Sequence, residues 1–248
     1  MTVWPEARPL RIGSGRTGVV MCHGFTGSVQ SIAPWARGLA GTDADWPGCV
    51  VVAPRLPGHG TTWRDLARTR WWDWYGAVED AYLQLAPTVD RIFVAGLSMG
   101  GALALRLAER HAVAGVLLVN PAIATRDRRV APAAALHRIL PAQKGIASDI
   151  AKPGVLERGY PKFSVTSLAT MTRLWRLTAR DLGKVQAPVL LLRSTQDHVV
   201  DDLSSELIRR KVADVRHIEL EHSFHVATLD HDADLIVARS RDFIGANG

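Results

Sequence analysis

Apolar residues in this chain fall into two kinds of stretch. Nearly continuous apolar runs stand within 17–25, 49–60, 91–98, 114–123 and 187–197, and 215–220 is a further strand-like segment. Between them lie segments in which apolar residues recur every three or four positions: 31–41, 71–86, 100–112, 202–211 and a last one from about Asp232. The first kind predicts strands buried on both faces, as in parallel sheets covered by helices. The second predicts amphipathic helices. Their alternation predicts an α/β fold with a doubly wound, mostly parallel sheet, in which ligands bind beyond the C-terminal ends of the strands.

Residues 124–185 break this rhythm. They hold Pro, Gly and helix-like pieces but no convincing strand, and about 60 residues is too long for an ordinary connection within one sheet. The expected division is therefore a core of 1–123 and 186–248 with an insertion at 124–185. Within the insertion, Leu168, Met171, Leu174, Trp175 and Thr178 share one helical face, and Arg173, Arg176 and Arg180 lie opposite. That apolar face, with Leu168, Met171 and Trp175, is expected to roof a pocket whose wall also includes Val199.

Charge sharpens this picture. The chain of 248 residues carries a net +6, yet no nucleic-acid recognition motif is present, so nucleic acid is not an expected partner. The insertion alone has eight Arg and four Lys against three Asp and one Glu, a net +8, which leaves the rest slightly acidic. Transient contact of this basic insertion with an anionic membrane is a reading to be tested. No apolar run is long enough to span a bilayer and the first residues do not read as a signal peptide, so a cytoplasmic protein, at most peripheral to a membrane, is expected. Cys22 and Cys49 sit in strand-like runs and read as buried thiols, with no metal spacing.

The chemistry centres on Gly96-Leu97-Ser98-Met99-Gly100, which fits G-x-S-x-G between a predicted strand and a predicted helix. A serine hydroxyl needs a base. Among nine histidines, His222, His225 and His231 surround the loop after the last strand, and His225 is mid-loop. The base needs a carboxylate to orient it. Asp197 comes first off the run 187–197, whereas Asp201 and Asp202 look like helix N-terminal residues. Ser98, Asp197 and His225 are thus the expected nucleophile, acid and base. Backbone N–H groups of Met99 and Phe25 are the expected oxyanion donors.

The stretches "HGFTG" (23–27), "PRLPGHGT" (54–61), "GLSMGG" (96–101), "DHVV" (197–200) and "SFHVATLD" (223–230) together resemble the α/β-hydrolase superfamily. More narrowly they resemble bacterial monoacylglycerol lipases and related carboxylesterases. The resemblance implies an α/β-hydrolase fold with a small helical cap after strand six, no cofactor, no metal, and the same Ser98, Asp197, His225, Phe25 and Met99 roles. It implies a small-molecule acyl ester as substrate, a monoacylglycerol or a short-to-medium-chain ester. The lipases carry an acidic residue facing the glycerol after a cap tyrosine, where this chain has Pro161. Acyl transfer to another acceptor, cleavage of a non-ester bond, or ligand binding without turnover are the competing readings. Trp71, Trp72 and Trp74 have no role legible in the sequence.

Overall fold

A computed structural model describes residues 2–135, 142–145 and 148–247. In chain order the elements are β1 (Leu10–Ile12), β2 (Thr17–Cys22), α1 (Ala33–Ala40), β3 (Val50–Ala53), α2 (Trp63–Arg68), α3 (Trp71–Leu85), β4 (Arg91–Leu97) and α4 (Met99–Ala108). They continue with β5 (Gly115–Val119), α5 (Val130–Ala135), β6 (Ala142–Lys144), β7 (Lys162–Ser164), α6 (Val165–Asp181), β8 (Val189–Ser194), α7 (Leu203–Lys211), β9 (Val215–Leu220) and α8 (Ala233–Ala246). Seven strands form one sheet in the order β1-β3-β2-β4-β5-β8-β9. β1 is antiparallel to β3, and every other pairing is parallel.

The nearly continuous apolar runs follow from burial on both faces. Along β2, Val20 and Cys22 enter one core with Trp74, Val94, Leu118 and Leu191, while Val19 and Met21 enter the other with Trp35, Phe93, Leu117 and Leu190. Alternate residues point to opposite faces of a strand, so a strand with a core on each side has no polar positions. Residues from α3, α4 and α6 complete the first core, and residues from α1 and α8 the second. The Trp35 indole N–H donates to Ser240 Oγ at 3.0 Å and ties α1 to α8.

The insertion lies between β5 and β8, which pair directly in the sheet. Counted along this chain, the strand before it is the fifth. It does contain strands, contrary to expectation: β6 and β7 form a two-stranded antiparallel ladder with Gln143 opposite Phe163. Three-residue strands so far apart in sequence leave no apolar alternation to read. β1 and α2 are likewise elements that the apolar pattern does not announce. α6 sits where the helical face was expected, with Arg173, Arg176 and Arg180 exposed.

Several bonds dock the insertion on the sheet. Tyr160 Oη donates to Gly58 O at 2.7 Å and accepts from Thr61 N–H at 2.9 Å. Ser167 Oγ donates to Leu66 O at 3.1 Å, and Thr170 Oγ1 accepts from Trp71 N–H at 3.0 Å. Asp230 accepts from Ala151 and Lys152 N–H at 2.7 and 2.9 Å. Among the described residues no helix is long and apolar enough to cross a membrane. Cys22 and Cys49 are buried free thiols, and burial pushes both up, Cys49 to about 12.

Candidate active site

Ser98 stands alone between the last residue of β4 and the first of α4, with φ 56° and ψ −120°. A non-glycine residue with positive φ is strained and needs its surroundings to hold it. Three bonds do so: Ser98 N–H donates to Val119 O at 3.0 Å, and Ser98 O accepts from Gly101 N–H at 2.9 Å and Ala122 N–H at 3.0 Å. The flanking glycines explain themselves sterically. A Cβ at position 96 would overlap the Gly100 carbonyl, and a Cβ at position 100 would overlap the Cys22 carbonyl. Strand and helix meet backbone to backbone, and Ser98 is left at the apex. Met99 is the first residue of α4, so its N–H has no carbonyl one helical turn earlier.

The loop after β2 faces this apex. Phe25 and Gly24 share a cavity wall with Ser98. His23 and His59 hold the loop from behind. His23 Nε2 accepts from Leu56 N–H at 3.2 Å while Nδ1 donates to Gly24 O at 2.9 Å, so this ring is neutral with its proton on Nδ1. His59 Nδ1 donates to Pro57 O at 3.1 Å, and its buried Nε2 has no partner among the described residues. Burial lowers His23 to about 4 and His59 well below the ordinary imidazole value. Trp74, whose indole donates to Thr69 Oγ1 at 2.9 Å, lies 6.0 Å from the Phe25 ring and 5.5 Å from His59. Trp74 therefore belongs to the support of the Phe25 loop. Trp71 packs edge-on against Trp72, which is exposed.

On the other side, His225 Nδ1 donates to Asp197 Oδ2 at 2.8 Å. Asp197 Oδ1 accepts from Val199 and Val200 N–H, both at 2.8 Å. Burial pushes this carboxyl up, but the bond and charge of His225, the Val200 N–H and Arg193 outweigh it and hold the group below the usual carboxylate range. His222 and His231 are exposed, and Asp201 instead binds Thr125 Oγ1 and Arg126 N–H at 2.7 and 2.6 Å. Ser98 and His225 line one cavity, although among the described residues no hydrogen bond joins Ser98 Oγ to the imidazole. Such bonds are often long in unliganded sites and close on the substrate complex.

Three polar residues not anticipated from the sequence hold His225 and its loop in place. Asn120, buried with φ 45°, donates through Nδ2 to His225 O at 2.8 Å and to Ser194 Oγ at 2.9 Å, and its Oδ1 accepts from Ser194 N–H at 2.8 Å. Asp149 Oδ2 accepts from His225 N–H at 3.0 Å, and its Oδ1 faces His198 Nδ1 at 2.9 Å. Asp230 also accepts from Phe224 N–H at 2.9 Å. A polar residue closing an apolar run, as in "VLLVN", is the one signal that could have found Asn120.

The shared cavity measures about 240 Å³, and Leu168, Met171, Trp175 and Val199 lie on its wall. Leu174 and Thr178 are buried instead. Glu157 supplies the cavity with a carboxyl group. Burial raises that carboxyl above its ordinary value, with His225 and the Ser31 hydroxyl pulling the other way. A Cβ at Gly27 would collide with its Oε1, so the last glycine of "HGFTG" makes room for it. Pro161 is exposed, and the carboxylates lining this cavity are those of Asp127 and Glu157. Among the described residues no cluster of His, Cys, Asp or Glu is placed to hold a metal ion.

Residues 19–239 match the alpha/beta hydrolase family. A thermostable monoacylglycerol lipase from Bacillus sp. (strain H-257) is 37% identical over 245 residues, 96% of this chain and 94% of that one. A solved structure from work on two metagenome-derived lipolytic enzymes, LipS and LipT, superposes with a TM-score of 0.92 at 36% identity, covering 99% of this chain and all of that one. The monoacylglycerol lipase of Paleococcus ferrophilus shares the fold, with a TM-score of 0.78 at 19% identity over 97% of this chain and 98% of that one. The chain belongs to the alpha/beta hydrolase family and is a hydrolase enzyme.

The neutral His23–His59 pair makes the fold acid-labile. Both rings have folded values below the unfolded one, so the unfolded chain binds more protons once the pH falls below about 6.5. Stability present above that pH is lost as pH falls towards the folded value of about 4 for His23. His23 alone should remove about 2 kcal/mol by about pH 5. Denaturant midpoints measured between about pH 7.5 and pH 5 should decline steadily, and a flat profile would contradict burial of two neutral imidazoles.

Proposed function

We propose that this protein is a serine esterase that cleaves carboxylic esters through an acyl-enzyme on Ser98, with monoacylglycerols as its substrate class. The observation that carries this reading is the Asp197–His225 hydrogen bond of 2.8 Å at the rim of the cavity lined by Ser98. The similarity to a lipase over nearly the whole chain supports the substrate class.

In the reaction, His225 Nε2 takes the Ser98 proton as Oγ attacks the ester carbonyl carbon. Its Nδ1–H stays on Asp197, which stabilises the imidazolium. The oxyanion accepts from Met99 and Phe25 N–H groups, at the positive end of α4 and on the loop after β2. His225 then gives its proton to the departing alcohol oxygen, and the C–O bond breaks. Water, deprotonated by the same imidazole, attacks the acyl carbon, and the proton returns to Ser98 as the fatty acid leaves. Leu168, Met171, Trp175 and Val199 line the acyl side. Glu157 faces the alcohol side, where its carboxyl pairs with the free hydroxyls of a glycerol ester. In this reading 1–123 and 186–248 are the catalytic core, and 124–185 is the cap. The exposed arginines of α6 give the cap a transient affinity for anionic lipid surfaces.

Three measurements test these assignments. Ser98→Ala should lower kcat by about 10⁶-fold and Asp197→Asn by about 10⁴-fold; retention of a tenth of wild-type turnover by Ser98→Ala would refute the acyl-enzyme. Glu157→Gln should reduce kcat/KM for a monoacylglycerol about tenfold more than for the p-nitrophenyl ester of the same acid, and equal losses on both would remove Glu157 from alcohol recognition. Sedimentation with anionic vesicles should pull down part of the protein at low salt and release it at high salt; no binding at low salt ends the membrane reading.

A further inference from the structure

The carboxylate of Asp197 has a second owner. Arg193 lies one residue from the end of β8, and only 9% of its side chain is exposed. Its Nη1 donates to Asp197 Oδ2, the same oxygen that accepts from His225 Nδ1. Nη2 donates to Val200 O at 2.6 Å and to Asp202 Oδ1 at 3.1 Å. Nη1 also reaches Asn120 Oδ1 at 3.3 Å, while the buried Nε has no partner among the described residues. A guanidinium keeps its charge at any working pH. Burying that charge and leaving one N–H unpaired is costly, and an apolar residue would continue the run of β8 at no such cost.

Placement of the charge gives the residue its role. Four donors converge on Asp197: two backbone N–H groups on Oδ1, and a cation and an imidazole on Oδ2. A carboxylate that already neutralises a guanidinium offers less negative potential to an imidazolium on the same oxygen. We infer that Arg193 is a positioning residue of the hydrolytic site, which shares the Asp197 carboxylate with His225, so that removing its charge changes the pH dependence of turnover, and which fastens the 197–202 loop through Val200 O. This rests on the reading of Ser98, Asp197 and His225 as a hydrolytic triad.

The other charged groups around these side chains bear on the same balance. Asp197 is bonded to His225, and Glu157 and Asp127 share the cavity wall with it. Asp149 holds the His225 backbone N–H and is itself bonded to the exposed ring of His198. Asp202, 75% exposed, is the second carboxylate on Arg193, and His217 on β9 feels the guanidinium as a repelling charge. Among these groups Arg193 is the cation bonded to Asp197, the carboxylate that orients the base.

The test compares pH profiles of kcat/KM on a p-nitrophenyl ester for the wild type, Arg193→Gln, Arg193→Met and Arg193→Lys, each with its melting temperature. Gln keeps an N–H donor for Asp197 and removes the charge. Lys keeps the charge and loses the fork. Relative to each protein's own plateau near pH 8, Gln and Met should be about threefold or more weaker than wild type at about pH 5.5. Lys should follow the wild-type profile even if it melts earlier. A merely structural role predicts lower melting temperatures and unshifted profiles, and profiles of Gln and Lys that both superpose on wild type would overturn the proposal. NMR titration of the His225 ring in Ser98→Ala, with and without Arg193→Gln, reads the same displacement without turnover. A wild type that neither hydrolyses esters nor reacts with a fluorophosphonate at Ser98 would sink the esterase reading alone, because the ring titration still decides the role of Arg193.

Discussion

The backbone at Ser98 is the constraint on which the rest of the molecule depends. A strand and the helix that follows it are joined by one residue, and no ordinary loop connects them. That junction closes only if the residue adopts a positive φ and if its neighbours have no side chains where β4, α4 and the end of β2 touch. The cost of such a conformation is of the order of 1–3 kcal/mol. It is offset by the parallel sheet beneath, whose β5 carbonyl at Val119 and following amide at Ala122 clamp Ser98 from the side. The strain is useful because it is local. The Cα–Cβ bond that carries the hydroxyl keeps its direction, since the backbone on both sides of it is held by main-chain bonds.

Opposite this rigid apex stands a base on a loop, and a loop needs other means of restraint. The means are buried or half-buried polar side chains that bind backbone. Asn120 takes its anchor from β8 and holds His225 by its carbonyl, while Asp149 holds the same residue by its amide. Asp230 and Asp232 accept from the Phe224 and His222 N–H groups just before it. Each bond is modest by itself, about 1 kcal/mol net. Together they leave the imidazole little freedom other than rotation of its own ring, and Asp197 fixes that. Preorganisation of this kind is what a site needs when charge develops during reaction.

Much of the fold is legible in the sequence for a simple reason. Strands between two apolar cores must be apolar throughout, so β2, β4, β5 and β8 are visible as runs. The G-x-S-x-G pattern is equally legible, because its glycines are close in sequence, although only Gly96 answers to a local contact and Gly100 answers to the Cys22 carbonyl at the end of β2. What escapes is of two sorts. β1, β6, β7 and α2 are only three to six residues long, too short for any period to emerge. Asn120, Asp149, Glu157 and Arg193 matter through partners distant in the chain or in neighbouring loops; nothing local distinguishes Asp149 and Glu157 from ordinary polar residues, and Asn120 is marked only by closing the run "VLLVN". Arg193 is the partial exception. A charged residue inside "VLLLRS" must be buried if the run is a strand, and a buried charge demands a counter-ion, which Asp197 supplies four residues later.

The same bonds place the insertion and the base in one mechanical unit. Asp149 belongs to the insertion and binds the His225 amide, and Asp230 belongs to the base loop and binds the amides of Ala151 and Lys152. The exchange is reciprocal, with a carboxylate from each segment accepting from the backbone of the other. Glu157 and Tyr160, a few residues on, carry the insertion across the cavity to the loops at Thr26 and Gly58. The segment 149–160 thus spans the cavity from the base to the loop of Phe25. The wall of the cavity and the hold on His225 therefore share one stretch of chain, so a change in either segment is felt by the other through the Asp149 and Asp230 bonds.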